Sequence, residues 1–192
     1  MIRRIAATLL ALAAPVALAA ASPAAALAAE APTVALTSPR TGWGYDNPAT
    51  IDLRATASSS VGIARVEFRD AGVLVGTDST EPYSVRLVVT TDGTHRYTAT
   101  AVDTTGASAT SAEAAVTVTT PPTITVRGLV QAGVEHNCLV LTADGVTYNL
   151  INGDPKIVFP GALVEVTGRL LRYAGSYCQQ GRILQVTEAK PL

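Results

Sequence analysis

Ile51-Asp52-Leu53-Arg54-Ala55-Thr56-Ala57 decides the fold class. Apolar and polar residues alternate through it without a break. Side chains of a strand point to opposite faces with period two, so this stretch predicts a strand with one buried face. The same alternation recurs on either side. Ala64, Val66 and Phe68 alternate with Arg65, Glu67 and Arg69. Tyr83, Val85, Leu87 and Val89 share one face, and Tyr97, Ala99 and Ala101 share another with Thr98 and Thr100 opposite. Turn signals separate these runs: Asn47-Pro48, Asp70-Ala71-Gly72, Glu81-Pro82, Asp92-Gly93 and Asp103-Thr104-Thr105-Gly106. About seven short strands at this spacing predict an antiparallel sandwich.

The motifs inside this half are more specific. Gly42-x-x-Tyr45-x-x-Pro48-Ala49, Val66-Glu67-Phe68, Val75-Gly76-Thr77, Pro82-Tyr83 and Ala99-x-Ala101-x-Asp103-x-x-Gly106 follow one another in order. On these residues, 33–119 resembles a bacterial immunoglobulin-like domain of the kind strung along secreted and surface proteins. The resemblance implies a spacer or presentation role and brings no catalytic residues. This half has no cysteine, so it lacks the inter-sheet disulfide of antibody domains and burial alone must hold it.

Thr120-Pro121-Pro122 divides the chain. Neither proline donates a backbone hydrogen bond, which predicts a short stiff linker between residues 29–120 and 121–192. The second half is also strand-rich. Ile124-x-Val126, Cys138 to Leu141, Val146-x-Tyr148-x-Leu150, Val164-x-Val166 and Leu184-x-Val186 predict five strands. Gly128 marks a bulge or bend in the first, Asp144-Gly145 a hairpin, and Pro160-Gly161 a turn into the fourth. A bent first strand and a long fourth-to-fifth loop fit a small five-stranded OB-like barrel. The spacing from Gly128-x-Val130 through Ser176-x-Cys178-Gln179-Gln180-Gly181 resembles a small OB-like domain of exported bacterial proteins. The expected architecture is therefore all-β: an immunoglobulin-like antiparallel sandwich, then the barrel, after an N-terminal signal peptide.

Residues 1–28 carry the signal reading. Arg3 and Arg4 form a basic start, Ala6 to Ala21 is uncharged and rich in Ala and Leu, and Ala26-Leu27-Ala28 is a small-x-small cleavage site. The alternative, an uncleaved anchor, is opposed by the weak apolarity of alanine and by Pro15 and Pro23. The formal net charge is −1, and losing the two arginines of this segment makes it −3. That mild acidity argues against nucleic-acid or anionic-membrane binding, which needs a basic excess, and no segment after residue 28 is apolar enough to predict stable membrane insertion after cleavage.

Cys138 and Cys178 are the only cysteines, and in an exported chain they are expected to form a disulfide. A metal site from His136, Cys138 and Cys178 is the alternative, without CxxC spacing to support it. In the OB reading the two cysteines lie in the loops that flank the usual ligand face, so the bridge would tie the rims of the cleft. Tyr173, Tyr177, Arg172, Arg182, Gln179 and His136 are candidate ligand contacts there, and Trp43, the single tryptophan, is a candidate at one end of the sandwich. Tyrosines and amides suit sugar hydroxyls and ring faces. The alternative is that the bridge only stabilises a small domain and the loops are solvated.

The enzyme reading is weak. His95 and His136 lie in different halves, and no GxSxG, HExxH or P-loop occurs. Asp70 and Asp103 in turns could bind calcium, but turn geometry explains both. No cofactor is implied. The expected function is a secreted, non-catalytic binding or presentation module whose partner is an extracellular polysaccharide or an envelope protein. The alternatives are a purely structural matrix protein and a small hydrolase or its inhibitor.

Overall fold

A computed structural model describes residues 30–192. The signal-peptide reading therefore lies outside the described residues. Every regular element among the described residues is a strand, and no helix there is long and apolar enough to cross a membrane.

The first unit contains β1 (Thr33–Ser38), β2 (Gly44–Asp46), β3 (Ala49–Ser58), β4 (Ile63–Asp70), β5 (Val73–Asp78), β6 (Ser84–Val89), β7 (Gly93–Asp103), β8 (Ser108–Thr110) and β9 (Ala114–Thr119). One sheet has the order β1-β3-β6. The other runs β2-β9-β7-β4-β5, with β8 also beside β7. Ile51 and Leu53 of the first sheet face Val66, Phe68, Tyr97, Val116 and Val118 of the second, all of them buried. This is the immunoglobulin-like sandwich that the alternation implies.

Two details depart from the simple pattern. Ala64 is exposed, because a register shift between Ile63 and Arg65 turns Ile63 towards the core instead. A bulge reassigns faces locally, and period two cannot see it. The sandwich also has more strands than about seven. The chain leaves β1 at Pro39 and re-enters as β2, which pairs with β9 in the opposite sheet. A proline cannot donate to the ladder it leaves, so the edge strand switches sheets there.

The second unit contains β10 (Thr123–Ala132), β11 (Leu139–Ala143), β12 (Val146–Ile151), β13 (Leu163–Leu170) and β14 (Arg182–Pro191). They close a barrel in the order β10-β11-β12-β14-β13. β12 and β14 are parallel, and the other pairs are antiparallel. This is the OB topology. Its interior holds Val126, Val130, Leu141, Leu150, Val164, Val166 and Leu184. β10 pairs with β13 through Leu129 and with β11 from Val130, so it bends at Gly128. A Cβ on Gly128 would lie 3.0 Å from the Thr142 carbonyl oxygen and 3.2 Å from the Leu141 side chain. The bend needs a residue with no side chain there. Asp144 and Gly145, both at positive φ, make the expected hairpin turn.

Outside the barrel, Glu165 is almost fully buried between Lys190, at 2.6 Å, and Arg127. The Lys190 hydrogen bond, followed by that of Arg127, holds its carboxyl below the ordinary glutamate range. The three residues come from β10, β13 and β14, so the cluster stitches three neighbouring strands.

The linker is not free-standing. Pro121 is buried. Asp92 accepts hydrogen bonds from the Thr120 backbone N–H at 3.0 Å, the Thr120 hydroxyl at 2.8 Å and the Asn47 amide at 2.7 Å. On the other side, Leu170 N–H donates to the Pro122 carbonyl at 2.9 Å. Side-chain and backbone partners thus pin the segment that composition alone marks only as stiff.

Candidate functional site

The rim of the barrel is built from residues 133–138, which precede β11, and residues 171–181, which precede β14. Cys138 and Cys178 join the two loops in a disulfide, with Cα atoms 5.8 Å apart. Both sulfurs are thus committed, which removes them as metal ligands. Two further contacts reinforce the bridge. Val134 N–H donates to Gln180 Oε1 at 2.6 Å, and the Tyr177 hydroxyl lies 3.4 Å from the His136 carbonyl. From the barrel wall, Asn149 Nδ2 donates to Ser176 Oγ at 2.6 Å. Asn149 Oδ1 is buried under the same loop with no protein partner.

This rim borders a concavity of about 470 Å³ between residues 132–139 and Pro155, Val158, Phe159 and Pro160. Its apolar edge is open: Val134 is 83% exposed. The volume lies in the range of small-ligand pockets, and the fixed loops pre-organise it.

The candidate ligand residues divide into two groups. His136 and Tyr177 meet across the rim. Gln179 sits beside them at a turn with positive φ, and Arg182 opens β14 opposite Tyr148. Arg172 and Tyr173 belong elsewhere. Their backbone N–H groups donate to the Asp46 carboxylate of the first unit, at 3.1 Å and 2.9 Å. The Tyr173 ring lies on Gly44, where an added Cβ would be 2.1 Å from a ring carbon. Trp43, half-exposed, is the next residue along the chain. Arg169 donates to the Asn47 carbonyl across the same junction.

Gly44, Asp46, Asn47 and Arg169 were not legible as functional residues. Asp46-Asn47-Pro48 reads as a turn, which satisfies its polar groups locally and hides their role across the junction. The one signal is Gly44 itself, which opens β2, since a glycine in a strand often marks a close approach of another group to the backbone.

A second titratable cluster lies in the first unit. His95 Nδ1 is 2.6 Å from Asp70 Oδ2, and its Nε2 is 3.1 Å from the Thr91 carbonyl. Asp70 Oδ1 accepts the Arg96 N–H at 2.9 Å. With an acceptor at each ring nitrogen, the doubly protonated imidazolium satisfies both. No ring nitrogen is free to act as a base. Burial by itself lowers the His95 pKa, but the Asp70 hydrogen bond and the Thr91 carbonyl outweigh it and raise the pKa above its ordinary value. A histidine raised in the folded state contributes stability that is complete below about pH 6.5, its unfolded value. That contribution is lost as pH rises through the folded value. The urea midpoint of the first unit, followed by Trp43 fluorescence, is expected to fall between pH 6 and pH 9, and His95→Gln to flatten the profile. An equal slope in both proteins would remove His95 as its source.

Asp103 is capped within its turn by Thr105 N–H at 2.9 Å, the Thr105 hydroxyl at 2.7 Å and Ala107 N–H at 3.0 Å. These bonds, the Thr105 hydroxyl foremost, hold its pKa below the ordinary aspartate value. Among the described residues, no group of three His, Cys, Asp or Glu side chains is placed to hold a metal ion.

Residues 32–99, within the first unit, match the family model of the bacterial Ig domain. No curated protein matches the chain. Among solved structures, a chain from the fibronectin(III)-like modules of Clostridium thermocellum CbhA is 28% identical with a TM-score of 0.44, over 45% of this chain and 94% of that one.

Proposed function

From a first unit that is a bacterial Ig domain, we propose that the chain is a secreted, non-catalytic module in which this domain presents the barrel to an extracellular glycan or another envelope component. The observation that carries the reading is the barrel rim. The loop before β11, locked by the disulfide, lines an open concavity, and the exposed Tyr177 of the second loop reaches the carbonyl of its lining residue His136. Ig domains of this kind are typically extracellular or surface-exposed, and the disulfide suits an oxidising compartment. The basic, apolar and small-residue order of residues 1–28 supports export.

The test is a binding isotherm of the exported protein against a panel of cell-wall and extracellular polysaccharides. Tyr177→Ala is expected to weaken binding about five-fold, the size of one lost aromatic contact. If the wild type binds nothing across the panel, the structural-protein reading replaces this one.

A further inference from the structure

The two units meet in a cleft of about 350 Å³ that neither provides alone. Tyr45 and Thr50 line it from the sandwich, and Arg169, Tyr173 and Gln185 line it from the barrel. Pockets at domain boundaries are common ligand sites when their walls are fixed, and here they are. The Asp46 carboxylate accepts the backbone N–H groups of both Arg172 and Tyr173, at 3.1 Å and 2.9 Å. The Tyr173 ring rests directly on the Gly44 backbone, leaving no room even for a methyl group beneath it. One side of the ring is therefore held by the sandwich, while the residue as a whole remains 47% exposed.

The chemistry of the walls is specific. A fixed, half-exposed tyrosine ring is a stacking platform for a pyranose. Arg169 makes no ion pair among the described residues and spends one guanidinium nitrogen on the Asn47 carbonyl. Its other N–H groups suit a carboxylate, for which the planar guanidinium fork is the best protein partner. Asp46 also lines the cleft and keeps its negative charge, but its oxygens are turned to the two backbone donors, so an anion binds on the Arg169 side. Thr50 and Gln185 supply a hydroxyl and an amide for sugar hydroxyls. Burial, followed by the nearby Asp52 charge, raises the Tyr45 pKa, so its phenol stays protonated and can donate.

We propose that this cleft is a composite carbohydrate subsite, shared by both units, that takes a uronic-acid residue of an acidic polysaccharide. The proposal rests on the glycan-binding reading above and adds a second contact, at the junction, to that of the disulfide rim.

The experiment uses the full exported chain, titrated with a galacturonate tetrasaccharide and with a neutral tetrasaccharide of equal length. The acidic oligomer is expected to bind at least tenfold tighter. Tyr173→Ala, which keeps the backbone bonds to Asp46, is expected to weaken acidic binding about tenfold, while Tyr173→Phe retains it. Arg169→Gln is expected to erase the preference for the acidic oligomer. Amide hydrogen exchange of the β12 and β14 amides verifies that the barrel of each variant is folded. Unchanged binding in Tyr173→Ala, or no binding of the acidic oligomer by wild type, overturns the proposal. Loss in Tyr177→Ala with none in Tyr173→Ala overturns it and leaves the rim reading standing. The reverse pattern supports the junction and sinks the rim.

Discussion

Phe68→Ala is expected to destabilise the first unit by about 3–5 kcal/mol, the usual cost of removing a buried aromatic ring. Phe68 is fully buried on β4, an interior strand of its sheet. Its cross-strand partners are small, Ala99 on β7 and Gly76 on β5. Val85 of the opposite sheet already presses on Gly76, so closely that a Cβ there would lie 2.6 Å from it. With partners this short and an opposite face this close, neighbouring side chains cannot swing in to refill the volume. The cost therefore falls at the cavity end of the range, not the relaxed end. No disulfide limits the loss in this unit. The single tryptophan, Trp43, reports on it directly, so the fall in urea midpoint gives the number. A cost below about 1.5 kcal/mol would mean that the core relaxes around the gap, against the packing described.

Cys138→Ser with Cys178→Ser is expected to cost the second unit about 2–4 kcal/mol. The bridge spans a sequence separation of 40 and lies four residues before β14 starts at Arg182. β14 closes the barrel by pairing with both β12 and β13, so releasing its lead-in loop frees the strand on which closure depends. The loop would stay anchored at its other end by Asp46. Opening should thus be greatest from Cys178 into β14 and least near Leu171. Amide hydrogen exchange resolves this: β12 and β14 amides should lose protection in the variant, while β3 and β7 amides keep theirs. Uniform protection in both proteins, or two titratable thiols in the native wild type, would refute the premise.

How far the sequence reaches depends on the range of the interaction. The alternation at Ile51–Ala57 and Tyr97–Ala101 is local, and strands repeat with period two whatever surrounds them, so the sandwich was legible. The barrel strands, the bend at Gly128 and the Asp144-Gly145 turn were legible for the same reason. The cysteine pairing followed by count, since a chain with two cysteines has one possible bridge. Where the pattern failed, at Ala64, an extra residue in one strand changed which face the next residues met, and that depends on the partner strand.

The candidate site divides along the same line. Tyr173 and Tyr177 are close in sequence, and their residue type alone marks both as candidate contacts. Their surroundings were not legible, because Tyr177 meets His136 of its own domain and Tyr173 meets Gly44 of the other, 129 positions away in the chain. Asp46 looked like a turn former until the docked barrel supplied two backbone donors that only the fold brings near. The sequence by itself determined the two β units, their order and their one disulfide, because periodicity, turn chemistry and cysteine count are local or numerical. The tertiary structure alone decided that the units are joined at a built junction and which aromatic ring belongs to it, because those contacts depend on how two separately closed sheets come to face each other.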